Sequence, residues 1–241
     1  VSRRARRRER PAASRCRGPD AVDSPAMVPT TSVRRFDEQF ARQVREGDLR
    51  LNPFEAAALP YLSGRVLDYG CGLGNLAVAA ARRGCTVVAL DASAEAVGHL
   101  RRVAAELALP IEAEQADLRT YALRGEFDSV VAIGLLMFFD RPTAVAQLEQ
   151  LQSHLRPGGH AVVNVLVEGT TWLEMLDPSA HCLFGRGELA RRFHGWTIVL
   201  NEASAFPASG DTIKSFETIV ARKPGRRERP PAPDAGPQDR A

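Results

Sequence analysis

The segment Gly64-Arg65-Val66-Leu67-Asp68-Tyr69-Gly70-Cys71-Gly72-Leu73-Gly74-Asn75 constrains this chain more than any other. Residues 65–68 read as a buried strand. Three glycines at alternate positions form a turn, and an alanine-rich helix runs from Asn75 to Arg83, ended by Gly84. The next apolar run, Thr86 to Leu90, closes on Asp91. A strand, a glycine turn, a helix and a second strand ending in an acid make a unit suited to holding a nucleoside. The glycines let backbone approach the ligand, and the carboxylate meets two ribose hydroxyls.

The alternation continues along the chain. Phe36, Phe40 and Val44 fall at helical spacing within 36–46, and Asn52-Pro53 opens a helix through Leu59. Ser93 caps a helix over 94–107, and a strand follows at 111–115, before Asp117. Residues 127–133 are an almost continuous apolar run, which suits a strand buried on both faces of a parallel sheet. Pro142 opens a helix to Leu155, and Pro157-Gly158-Gly159 turns the chain into a strand at 161–167. A short helix at 187–193 and strands at 197–201 and 212–221 complete the pattern. This predicts an α/β fold, a doubly wound and mostly parallel sheet with its ligand at the carboxyl ends of the strands. Asp68, Gly70, Asp91, Asp117 and Gly134 all fall at those ends.

Charge is unevenly spread. The net charge is +3, yet residues 1–35 hold ten arginines against three acids, and residues 222–241 hold six basic residues against three acids. The body between them, 36–221, is left with 16 basic and 23 acidic residues. An acidic body argues against a nucleic-acid groove across its face. Residues 1–30 carry almost no large apolar side chain and are expected to be a disordered basic extension, with 1–26 read as an upstream translation extension before Met27. The Pro/Arg-rich tail, 224–241, is expected to be disordered as well. The apolar run Val130 to Phe139 is shorter than the ~20 residues that span a bilayer. Four scattered cysteines suggest free thiols in a reducing cytoplasm, and no cluster has metal-ligand spacing.

Two nucleosides compete for the turn. Gly72-Leu73-Gly74-Asn75-Leu76-Ala77 matches the dinucleotide pattern G-x-G-x-x-A. A pyrophosphate, however, is ill served by Asp68 and Asp117 nearby. A ligand bearing an amine and a sulfonium suits these carboxylates better.

Val66-Leu67-Asp68-Tyr69-Gly70-Cys71-Gly72-Leu73-Gly74 resembles motif I of the class I S-adenosylmethionine-dependent methyltransferases. Asp91, Gln115-Ala116-Asp117-Leu118 and Leu155-Arg156-Pro157-Gly158-Gly159 resemble the family's later motifs in the family's order, over residues 60–168. The resemblance implies a seven-stranded Rossmann-like sheet with an antiparallel last strand, a domain over 31–223, and S-adenosyl-L-methionine as cofactor. It places Asp68 near the cofactor's ammonium and Gly70, Cys71 and Gly72 against its methionine part. It puts Asp91 on the ribose and Asp117 with Leu118 on the adenine; Gly74, Asn75, Ala92 and Gly134 complete the set.

Leu136-Met137-Phe138-Phe139, Phe184-x-x-Gly187-Glu188-Leu189 with Gly195-Trp196, and Phe216-x-Thr218-x-x-Ala221-Arg222-Lys223 are similar to the small-molecule branch that includes tellurite-resistance methyltransferases. That branch carries His and Arg before its final strand. Here Ser204-Ala205-Phe206-Pro207-Ala208-Ser209 offers no cation before Lys214, which sets tellurite in doubt as the acceptor. Substrate-side candidates are His181, Arg186, Met137 and Phe138, with Phe36, Phe40 and Phe54 as a lid or as packing. His99 and His154 are expected to be exposed on helices. The expected activity is in-line methyl transfer to a small molecule, possible acceptors including a tellurite-like oxyanion. The alternatives are a methyltransferase for nucleic acid or protein that uses the basic arm, and a cofactor-binding module without catalysis.

Overall fold

The computed structural model describes residues 30–225; the expectations for the two chain ends fall outside these residues, apart from the few positions at their inner edges. Helices α1 (Thr31–Glu46) and α2 (Pro53–Ala58) precede the sheet. The body then alternates: β1 (Arg65–Tyr69), α3 (Asn75–Arg82), β2 (Thr86–Asp91), α4 (Ala94–Glu106), β3 (Ile111–Gln115), β4 (Phe127–Ile133), α5 (Arg141–His154) and β5 (Leu155–Leu166). It ends with α6 (Glu188–Arg192), β6 (Thr197–Pro207) and β7 (Ile213–Arg222). The seven strands lie in the order β3-β2-β1-β4-β5-β7-β6, with β7 antiparallel to both of its neighbours. The order reverses between β1 and β4, so a crevice opens at the carboxyl ends of those two strands.

Both faces of the sheet are covered, which is why its central strands are apolar throughout. On one face Val66, Val87, Val131 and Val162 pack under α2 and α3. On the other, Leu67, Val130, Ala132 and Val163 join α5 through Leu148 and Leu151. Adjacent residues such as Val66 and Leu67 therefore serve opposite cores, at 1% and 0% exposure.

Four expectations need correction. Helix α1 begins five residues before Phe36, because Thr30 accepts the Val33 N–H at 3.3 Å and caps it. Strand β5 begins at Leu155, which pairs with Phe127; residues 156–159 form a bulge rather than a turn ahead of the strand. Strand β6 continues to Pro207, since its pairing with β7 runs as far as Pro207 and Ile213. His99 is buried at 9% exposure, because it lies on the same inward side of α4 as Ala96 and Leu100. Among the described residues no helix is long and apolar enough to cross a membrane.

Gly74 joins the turn to α3 with φ of +75°, and a Cβ there would lie 2.5 Å from both terminal carbons of the buried Leu100. Gly74→Ala combines a left-handed backbone with overpacking and is expected to destabilise the protein by about 2–3 kcal/mol. Urea unfolding measures this directly. A change below about 0.5 kcal/mol, the range of ordinary surface substitutions, would contradict the packing role.

Candidate functional site

The glycine turn is tied to the neighbouring strand. Gly70 and Cys71 both donate their N–H groups to Leu90 O, at 2.8 and 3.0 Å. Gly72 N donates to Asp91 Oδ2 at 2.8 Å, and Ser93 N donates to Asp91 Oδ1 at 2.8 Å. Each carboxylate oxygen thus receives one backbone donor and keeps lone-pair capacity for another. Burial raises the Asp91 pKa against these hydrogen bonds, which lower it.

A cleft of about 380 Å³ opens above this turn. Asp68, Gly70, Cys71, Gly72 and Asn75 form its floor. Asp91, Ala92, Asp117 and Leu118 line one side and Gly134 another. Gly74 is not in the lining; it meets Leu100 of α4 instead. The lack of a side chain matters at two floor positions. A Cβ on Gly70 would meet Leu135 at 3.0 Å, and one on Gly72 would meet the Phe40 ring at 3.2 Å. The Cys71 thiol is pushed well up by burial and by the nearby Asp68 and Asp91, so it is a neutral, small filler.

Asp68 is the electrostatic anomaly of the cleft. It is 5% exposed, and its Oδ2 has no hydrogen-bond partner. Burial first, then the Glu55 and Asp91 carboxylates, push its pKa up to about 8. Asp117 has the opposite setting: Arg119 grips it through Nε at 2.8 Å and through a terminal nitrogen at 2.6 Å, which lowers its pKa. Tyr69 fixes the loop carrying Asp117 by donating its hydroxyl to Leu118 O at 2.7 Å.

Helix α1 covers the mouth. Phe36 stacks on Phe40 at 5.7 Å and meets the edge of Phe138 at 5.1 Å. Ser93 Oγ is hydrogen-bonded to Asp37 of the same helix. Phe138 lines the cleft, whereas Met137 packs into a small cluster with Leu166 and Leu176. His181 is held to Asp177 O at 2.8 Å and is outside the lining, though Asp177 and Ala180 are in it. Arg186 lies over Gly169, also outside the lining. Sequence reasoning missed Glu55, Arg119 and Ser93 as cleft residues. Two of them left a local trace: Glu55 in the capping pattern Asn52-Pro53-Phe54-Glu55, and Ser93 as the cap of α4. No group of three or more His, Cys, Asp or Glu among the described residues could hold a metal ion.

Residues 66–159 match the family model described as a methyltransferase domain. The matched segment runs from the glycine turn through Asp91 and Asp117 to the start of β5, and in these parts the chain is similar to the class I methyltransferases. It is similar to hemagglutinin 1 of Eikenella corrodens, at 29% identity over 67% of this chain and 55% of that protein. It is also similar to the magnesium-protoporphyrin O-methyltransferase of Rhodobacter capsulatus, at 37% identity over 55% of this chain and 60% of that enzyme. The chain thus spans less than two thirds of the length of either relative. In fold it resembles TehB from Haemophilus influenzae, with a TM-score of 0.62 and 19% identity, over 72% of this chain and 62% of that one.

Methyltransferases of this class use S-adenosylmethionine, and the cleft fits it. An unpartnered buried carboxyl at Asp68 suits an ammonium, and Gly70 and Gly72 leave room that a Cβ would fill. Asp91→Ala is expected to weaken S-adenosylhomocysteine binding by about 1.5–3 kcal/mol, the scale for hydrogen bonds to a charged acceptor. Calorimetry showing unchanged affinity would place the ribose elsewhere. The raised Asp68 pKa also predicts a pH effect on the ligand-free protein. Because the folded value exceeds the ordinary value of about 3.9, this group's stabilising contribution is complete below that pH and fades as pH rises toward about 8. Asp68→Asn should therefore lose less stability than the parent between pH 5 and 8.5, by on the order of 4 kcal/mol, about 1.4 kcal/mol for each of the three pH units below 8. Parallel stability profiles for the two proteins would contradict it.

Proposed function

We propose that the protein transfers a methyl group from S-adenosylmethionine to a small, uncharged acceptor with an apolar body, and that residues 31–223 form the catalytic domain, working in the cytoplasm. The observation that carries the acceptor class is the composition of the cleft beside Gly134. Phe36, Phe138 and Leu135 line it, and its two arginines already face acids. Arg119 pairs with Asp117 at 2.6 Å, and Arg50 with Asp48 at 3.2 Å. Lys214 sits over the Trp172 ring at 3.7 Å and is outside the lining. Among the described residues an oxyanion such as tellurite therefore meets no free cation in this cleft, while the aromatic rings favour an apolar body. The similarity to an enzyme named for methylating magnesium-protoporphyrin supports a small-molecule acceptor.

S-adenosylmethionine, when bound, supplies a methyl group already activated on a sulfonium. The work left to the chain is to hold both partners in line and exclude water. Asp68 would take the ammonium, Asp91 the ribose hydroxyls, and Asp117 and Leu118 the adenine. Gly70, Cys71 and Gly72 would hold the methionine part, with Asn75 at the start of α3 and Ala92 beside Asp91. Gly134 and Leu135 bring β4 to the reacting side, and Phe36 and Phe138 close over it. Where the acceptor must lose a proton, the lining offers the Asp140 and Asp177 carboxylates. Hydrogen bonds within their own turns, from Thr143 and Ser179 respectively, lower both pKa values. Such weak bases suit acceptors that are nucleophilic without strong deprotonation.

Methyl transfer from labelled cofactor to a panel of thiols, phenols, amines and chalcogen oxyanions tests this reading. Turnover is expected with neutral, apolar members. Phe138→Ala should cut kcat/KM about tenfold, equivalent to about 1.4 kcal/mol, while S-adenosylhomocysteine affinity is retained. Preferential methylation of the oxyanions would refute the acceptor class.

A further inference from the structure

The N-terminal helix α2 places a second carboxylate in the cleft beside Asp68. We propose that Glu55 and Asp68 form a two-acid clamp for the α-ammonium of the cofactor, so that α2 takes part in binding as well as in packing. This rests on the reading of the cleft as an S-adenosylmethionine site.

Three observations carry it. Both residues line the cleft, yet they come from different elements, α2 and β1. Neither carboxylate forms an ion pair among the described residues. Asp68 is more than nine-tenths buried with Oδ2 unpartnered, and a buried acid without a partner calls for a donor from outside the chain. Two acids facing one pocket repel each other when ionised, and a cation between them relieves both that repulsion and the cost of burial. Burial also raises the pKa of Glu55, as it does that of Asp68.

The clamp is held in place before any ligand arrives. Glu55 Oε2 accepts the Asn52 N–H at 2.7 Å, so the capping box that starts α2 also aims this carboxylate. Phe54, the preceding residue, packs against Phe216 at 4.8 Å and Phe206 at 5.8 Å, anchoring α2 to the sheet. The other ionisable groups around Asp68 are Asp91 from β2 and the Cys71 thiol from the turn, and neither supplies positive charge. Arg50 lines the same cleft but pairs with Asp48 and is largely in solvent.

Glu55→Gln keeps an oxygen to accept the Asn52 N–H and removes the charge. Calorimetry compares S-adenosylhomocysteine, which has the α-amino group, with methylthioadenosine, which lacks the amino-acid part. The variant is expected to lose about tenfold in adenosylhomocysteine affinity and to bind methylthioadenosine within about twofold of the parent. Titrations at pH 7 in buffers of different ionisation enthalpy should show the parent releasing protons on binding adenosylhomocysteine, and the variant releasing fewer. Unchanged affinity for both ligands would overturn the clamp. Equal losses for both would overturn it too, making Glu55 a structural cap. Parent protein that binds neither ligand would refute the cofactor reading itself, and the clamp with it.

Discussion

The cleft depends on the attachment of the glycine turn to the end of β2. Leu90 O takes two successive N–H groups, from Gly70 and Cys71, and Asp91 takes a third from Gly72. These bonds set the height of the turn above the sheet. They also orient the Asp91 carboxylate, whose second oxygen is held by Ser93 N. Without them the floor of the cleft and the Asp91 carboxylate would move independently. Ser93 then caps α4 through Ala96 N and meets Asp37 of α1 through its hydroxyl, so the attachment extends to the helix that covers the mouth.

Electrostatics divides the cleft into two ends. At the Asp117 end, charge is neutralised internally, since Arg119 holds both carboxylate oxygens. At the Asp68 end it is not: two acids from separate elements face the cleft without an ion-pair partner among the described residues. A polar group left unsatisfied in a folded interior is costly, and such sites are where binding energy is concentrated. The cationic end of a sulfonium nucleoside meets that requirement, whereas a pyrophosphate would worsen it.

Much of this was legible because it is local. The run Val66 to Asn75 contains strand, turn and helix start within one stretch, and Asp91 follows one βα unit later. Strand ends alone located Asp68, Gly70, Asp91, Asp117 and Gly134, while Cys71, Gly72, Asn75, Ala92 and Leu118 came from the resemblance to the family; all of these line the cleft. The seven-stranded sheet with β7 antiparallel followed from the resemblance to the family. What escaped was set by distant contacts. β6 is an edge strand whose side chains are mostly exposed, so it carries no clear alternation beyond residue 201; its length comes from pairing with β7. The bulge in β5 hides behind Pro157-Gly158-Gly159, which reads as a simple turn. His99 looks polar, but the helix phase of α4 turns it inward. Glu55 lies in a separate helix ahead of Asp68, and long-range packing of α2, through Ala58 on the sheet and Phe54 on Phe206 and Phe216, brings it to the cleft.

The most direct test is a pair of calorimetric titrations of the whole protein, one with S-adenosylhomocysteine and one with NAD. Saturable binding of S-adenosylhomocysteine with no heat from NAD is the expected result. Tight NAD binding with no response to S-adenosylhomocysteine would contradict the assignment of this cleft to a methyl donor.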